Sequence, residues 1–170
     1  MKKVVIGLIS ILLLTGCGKL TEEEAKTAAL DSLENAFLAS YIADGIGLAV
    51  FADQTIEEGD ITWYKVADNY STVDELKEIV DKGYKGDVAD DLKETIDSKY
   101  KVIDGTLYST GTGGCALPYE IETVREDLSE DISIEEIKSS KITITLNETE
   151  YTLSKKSGNW LSEIQIFKCN

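Results

Sequence analysis

The chain has no histidine, one proline (Pro118) and three cysteines in 170 residues. Each scarcity removes a chemistry. Without histidine, neither a cysteine nor a serine nucleophile has its usual base. Zinc held without histidine needs clustered thiolates, and Cys17, Cys115 and Cys169 are scattered along the sequence. Asp127-Leu128-Ser129-Glu130-Asp131 lacks the alternating acids and the glycine of a calcium loop. Gly111-Thr112-Gly113-Gly114 is followed by no Lys-Ser or Lys-Thr, so it is no phosphate loop. Two carboxylates can in principle cut a glycan, but among 32 Asp and Glu any pair could be chosen. No catalysis, metal or cofactor is expected.

Positive charge is also scarce. Seventeen Lys and Arg face 32 Asp and Glu, a formal net charge of −15. Such a surface repels the phosphates of nucleic acid and anionic lipid heads. It suits a basic partner, or simply solubility.

Long apolar runs are scarce too, and the one at the start is short. Lys2 and Lys3 form a positive head, and Val4 to Leu14 is an apolar run interrupted by Gly7 and Ser10. A helix needs about 20 apolar residues to cross a bilayer. A charged head, a run of this length and small residues behind it describe a secretory signal peptide. Leu14-Thr15-Gly16-Cys17 resembles the bacterial lipoprotein box, in which the cysteine is acylated after cleavage of the bond before it. The expected division is a signal peptide over 1–16, the lipidated Cys17 with a short tether over 17–20, and one domain over 21–170. Cleavage leaves 170 minus 16, or 154, residues and, without Lys2 and Lys3, a charge of −17. The expected location is the extracytoplasmic face of a bacterial cell membrane, held by acyl chains and not by a spanning helix. In that setting Asn69-Tyr70-Ser71 and Asn147-Glu148-Thr149 read as turn and strand residues, not glycosylation sites.

Behind the tether, Thr21 with Glu24 forms a capping box, with acids in the first turn. Ala25, Ala29, Leu33, Ala36, Phe37 and Tyr41 recur at helical spacing, which predicts an amphipathic helix over about 22–42, ended by Gly45 and Gly47. Leu48 to Ala52 is apolar and of open type. Ile61 to Val66 reads as a strand. Thr72 with Glu75 is a second capping box, leading Leu76, Ile79 and Val80 on one face until Gly83. Asp87 is expected to cap a third helix carrying Val88, Leu92 and Ile96. Asp104-Gly105 sits between two strand-like runs, the common signal of a two-residue hairpin. Ile142, Ile144 and Leu146, then Tyr151 and Leu153, then Trp160, Ile164 and Ile166 predict a three-stranded antiparallel meander with turns near Asn147 and at Ser157-Gly158-Asn159. The class is α+β: N-terminal helices on a curved antiparallel sheet that ends in the meander.

Trp63, Tyr64, Tyr108 and Trp160 offer either core or a recognition surface. Trp63 and Trp160 read as core, whereas Tyr108 borders the glycine stretch and reads as a contact residue. Cys115 and Cys169 are either bridged, as an even pair outside the cell can be, or two small buried thiols; both readings are structural.

Four passages carry a resemblance: "LTEEEAKTAAL", "WYKVADNYSTVDELKEIV", "KYKVIDGTLYSTGTGG" and "TEYTLSKKSGNWLSEI". Together, from about Thr21 to Ile166, they resemble the IseA family, secreted inhibitors of cell-wall DL-endopeptidases; similar hairpins also close small cystatin-like export domains. The resemblance implies a non-catalytic protein that binds the catalytic domain of an NlpC-type cysteine endopeptidase and restrains autolysis. It implies a contact loop over 109–117, with Tyr108, Thr110, Gly111, Thr112, Gly113 and Gly114 as partner-binding residues. The chain departs from the family in Thr112, in Cys115 and in its lipid anchor. The competing expectation is a cystatin-like envelope lipoprotein domain that binds a small ligand or another envelope protein and has no hydrolase target.

Overall fold

The computed structural model describes residues 20–111 and 116–168. Cys17, Thr112, Gly113, Gly114, Cys115 and Cys169 lie outside them. The fold is α+β, with two four-stranded antiparallel sheets where a single curved one was expected. Helix α1 spans Glu22–Ala43 and starts at the predicted capping box. Thr21 Oγ1 accepts from the Glu24 amide at 3.2 Å, and Glu24 Oε2 accepts from the Thr21 amide at 2.8 Å.

This helix is less one-sided than its spacing suggests. Its buried residues include Ala25, Ala29, Leu30, Ser32, Leu33, Ala36, Phe37, Ala39, Ser40, Ile42 and Ala43. Eleven small or apolar positions at successive offsets cover more than one face. The helix is therefore central, gripped by the three helices that follow it and by the second sheet. Its alanines and serines let those neighbours approach closely.

Strands β1 (Val50–Glu58) and β2 (Ile61–Val66) follow. The undecided stretch from Leu48 thus turns into a strand at Val50, with Leu48 itself buried. Helix α2 spans Val73–Gly83 behind the second predicted capping box, and buries Leu76, Ile79 and Val80. Helix α3 spans Asp87–Lys99. Here the cap differs from expectation: Gly86, at φ 67°, occupies the N-cap without a side-chain bond, and Asp87 is the first helical residue. Its carboxylate still suits the positive end of the helix. Strands β3 (Tyr100–Ile103) and β4 (Thr106–Ser109) form the hairpin at Asp104 and Gly105, both with positive φ, 48° and 75°. The first sheet runs in the order β1-β2-β4-β3.

Helix α4 (Val124–Asp131) and β5 (Ile132–Ile137) precede the meander of β6 (Lys141–Leu146), β7 (Thr149–Lys156) and β8 (Asn159–Ser162). The second sheet keeps chain order, β5-β6-β7-β8. Ile142, Ile144, Leu146, Leu153 and Trp160 point into the core as predicted. Ile164 does not: β8 ends at Ser162, and Ile164 is 58 % exposed on an irregular tail. Trp160 joins the contiguous core, but Trp63, though buried, lies apart from it.

Tyr84 joins these layers. It follows α2, is fully buried, and makes a hydroxyl–hydroxyl bond to Ser40 of α1 at 3.0 Å. Its oxygen also accepts from the amides of Ile166 and Phe167 at 3.3 and 3.5 Å. Burial, against the pull of these bonds, pushes its pKa from 10.0 up to about 12. The fold therefore prefers the neutral phenol. That contribution is complete below pH 10 and is lost as pH rises from there towards 12, a change of about 2–3 kcal/mol. Urea titrations across this window are expected to show it. Tyr84→Phe is expected to cost about 1–3 kcal/mol at neutral pH, because Ser40 and two amides lose a partner, and to flatten the alkaline arm. Identical alkaline profiles in both proteins would remove Tyr84 as the cause.

Candidate functional site

The described parts of the expected contact loop are its two ends, and both are held. At the entry, Ser109 is buried and pairs across the sheet with Tyr64 and Tyr100. The Thr110 amide donates to the Lys99 carbonyl at 3.0 Å, and the Gly111 amide donates to Ser109 Oγ at 3.1 Å. Gly111 has φ +65°, and a Cβ on it would lie 2.7 Å from Tyr64 Cδ2. Only glycine meets both conditions without a shift. The chain thus leaves β4 over the ring of Tyr64.

At the exit, Leu117 is buried against the turn after α1, its Cδ1 3.3 Å from where a Cβ on Gly45 would stand. Tyr119 packs edge-on against Phe37 and Phe167, with centroids 6.0 and 6.1 Å away. Its hydroxyl donates to Asp131 at 2.8 Å and accepts from Asn147 at 3.3 Å. Burial first, and the Asp131 carboxylate second, push its pKa up to about 12.

The ground around these ends is acidic. Tyr41, on the last turn of α1, has its pKa raised by burial and then by the fields of Asp68, Glu120 and Glu122. Asp68 is fixed, accepting the Ala49 amide at 2.8 Å.

Of the residues expected to bind a partner, Thr110 and Gly111 stand together at the loop entry, but Tyr108 faces away. It lies on the opposite face of the first sheet, between Lys65 and Lys101. Strand alternation dictates this, because Ser109 and Leu107 point inward. Tyr64, named in the sequence among the aromatics of core or recognition surface, is the seat of the loop entry, a role the sequence did not single out. The signal for it was present, since it alternates with Trp63 and Lys65 and so must face the other side.

Beside the exit is an open cleft of about 570 Å³ lined by Ala116, Pro118, Tyr151, Ile164, Ile166 and Lys168 among others. Among the described residues no three His, Cys, Asp or Glu gather where a metal ion could be held, and no helix is long and apolar enough to cross a membrane. No protein-family model matches the chain, and no curated protein sequence does either.

Proposed function

We propose that this is a non-catalytic lipoprotein of the bacterial cell surface, anchored through Cys17, that binds and inhibits NlpC-type DL-endopeptidases and so restrains autolysis. The observation that carries the reading is a loop held at both ends on acidic ground: Gly111 over Tyr64 at one end, Leu117 against the turn after α1 at the other, with Asp68, Glu120 and Glu122 close by. A loop with fixed ends loses less freedom when it enters a cleft. The substrate stems of these enzymes carry carboxylates, so their groove is expected to be basic, and an acidic surface is steered towards it.

The length of α1 fits the same role. Its 22 residues span about 33 Å at 1.5 Å each. Three residues, Gly18 to Leu20, separate Cys17 from the cap at its start, whereas the loop ends pack near its finish. Leu20, the described end of the tether, and the described ends of the loop then lie towards opposite ends of one strut.

The competing reading, a cystatin-like envelope domain for a small ligand or another envelope protein, draws on the open cleft beside Pro118. One assay separates the two. A chain from Lys19 to Asn170, which keeps every described element, is added to peptidoglycan digests by a DL-endopeptidase, an amidase and a muramidase. Selective loss of endopeptidase activity is expected, weakening as salt rises because exposed charges are screened within about 10 Å at 0.1 M. Equal rates with and without the protein in all three digests would reject inhibition and leave the cleft as the site to pursue.

A further inference from the structure

The outer face of the first sheet carries a pattern that the loop reading does not use. Across its four strands, in register, stand Phe51, Lys65, Tyr108 and Lys101. Residues paired across antiparallel strands share a face, so this is one row, aromatic and cation in alternation. Next to it Trp63 pairs with Ile56, and Ile61 with Glu58. The opposite face buries Tyr100, Leu107 and Ser109, and the helices reach this sheet chiefly through β3. The outer face is open at Phe51, 40 % exposed, and Ile61, 47 % exposed, while Lys65, Tyr108 and Lys101 are half-buried.

Three details give this face a chemistry. Lys65 Nζ stands 5.6 Å from the centre of the Phe51 ring and, among the described residues, makes no ion pair, although the chain carries 32 acids. Lys101 Nζ covers the Trp63 ring at 4.0 Å and is paired with Glu58, at the exposed end of β1. Beneath it the Trp63 indole Nε1–H is buried and has no acceptor. A buried donor left unpaired is costly, and the cover over this one is a mobile type of side chain with an exposed carboxylate partner.

We infer that this face is a docking surface for an acidic, extended segment of a partner protein. Phe51 and Ile61 supply apolar contact, Lys65 and Lys101 take two carboxylates, and an acceptor on the segment reaches the Trp63 N–H as Lys101 moves aside. Lys65 and Lys101 lie two strand spacings apart, about 10 Å, which is also about three residues of an extended chain. The segment therefore carries acids three residues apart with apolar residues between them. With Lys65 outside any ion pair of the described residues and Lys101 beside Glu58, this face differs in charge from the acidic surroundings of the loop, and the inference is independent of the endopeptidase reading.

The test is calorimetric, with the Lys19–Asn170 chain and a capped peptide bearing two glutamates three residues apart and two apolar residues between. Comparison ligands are the same peptide with lysines for glutamates, and a hyaluronate oligosaccharide as an anionic glycan. Binding of the glutamate peptide is expected, weakened about tenfold or more by Lys65→Glu, where attraction becomes repulsion, and severalfold by Phe51→Ser. Phe51 is exposed and Lys65 half-buried, and circular dichroism checks that both variants fold. Three results would overturn the proposal: no binding of the glutamate peptide, equal binding by Lys65→Glu, or tighter binding of the lysine peptide. Tighter binding of hyaluronate than of the peptide would also overturn it and assign the face to a glycan.

Discussion

Gly83→Ala is expected to destabilise the protein by about 3 kcal/mol or more, although the substitution adds one methyl group and usually helps a helix. Gly83 is the last residue of α2. In an ordinary helix, alanine is favoured over glycine by roughly 0.5–1 kcal/mol. Here a Cβ would lie 2.5 Å from the amide nitrogen of Ala36, 2.6 Å from its Cα and 2.9 Å from the carbonyl carbon of Asn35. Those atoms are backbone of the central helix, so no side chain can swing away. Either α2 moves off α1, opening the layer that holds Leu76, Ile79 and Val80, or α1 bends. Overpacking of this kind commonly costs about 1–3 kcal/mol and more where backbone must move. Chemical denaturation of the two proteins measures it directly. A stability equal to or above that of the parent would mean that the two helices do not cross at this contact.

What could be read in advance follows the range of the interaction. Both capping boxes, the Asp104-Gly105 hairpin and the strand over 61–66 depend on residues a few positions apart, and they stand where the sequence put them. The contact at Gly83 was hidden, because glycine at the end of a helix reads as a stop signal whatever lies opposite it. Strand β5 was hidden for another reason. Its register shifts between Ile134 and Glu136, and that irregularity breaks the two-residue alternation by which strands are recognised. Helix α4 has only Val124 and Leu128 to bury, too few for a periodic signal. With β5 unseen and β1 interrupted between Phe51 and Thr55, the split into two sheets was out of reach.

The same limit applies to the site. The glycine stretch was visible as composition, but its seat on Tyr64 is a cross-sheet contact, and nothing local marks it. The orientation of Tyr108 was readable from alternation with Leu107 and Ser109. Its neighbours were not: the row from Phe51 to Lys101 needs the strand order β1-β2-β4-β3, in which β4 sits between β2 and β3.

Reduction of an oxidised Lys19–Asn170 chain is expected to lower its stability by roughly 4 kcal/mol, the chain-entropy value for closing a loop of this length. Cys115 and Cys169 lie outside the described residues, but Ala116 and Lys168, next to them in sequence, line one cleft. One residue further in, Leu117 and Phe167 are both buried, and Phe167 packs on Tyr119. The described residues beside the two thiols thus meet in one region, and a bridge is the reading this experiment tests. In a domain of this size roughly 4 kcal/mol corresponds to a fall in Tm of about 8 to 16 °C. Calorimetry with and without a reductant reads it, and Cys115→Ser should reproduce the reduced value under oxidising conditions. Intact mass supplies an independent reading, since the bridged chain is lighter by two hydrogens and resists thiol alkylation. Because the bridge would tie the loop exit to the tail, reduction should also weaken endopeptidase inhibition more than it weakens peptide binding on the far face of the first sheet. Two free thiols in the purified oxidised chain would refute the bridge while leaving the fold and both surfaces standing.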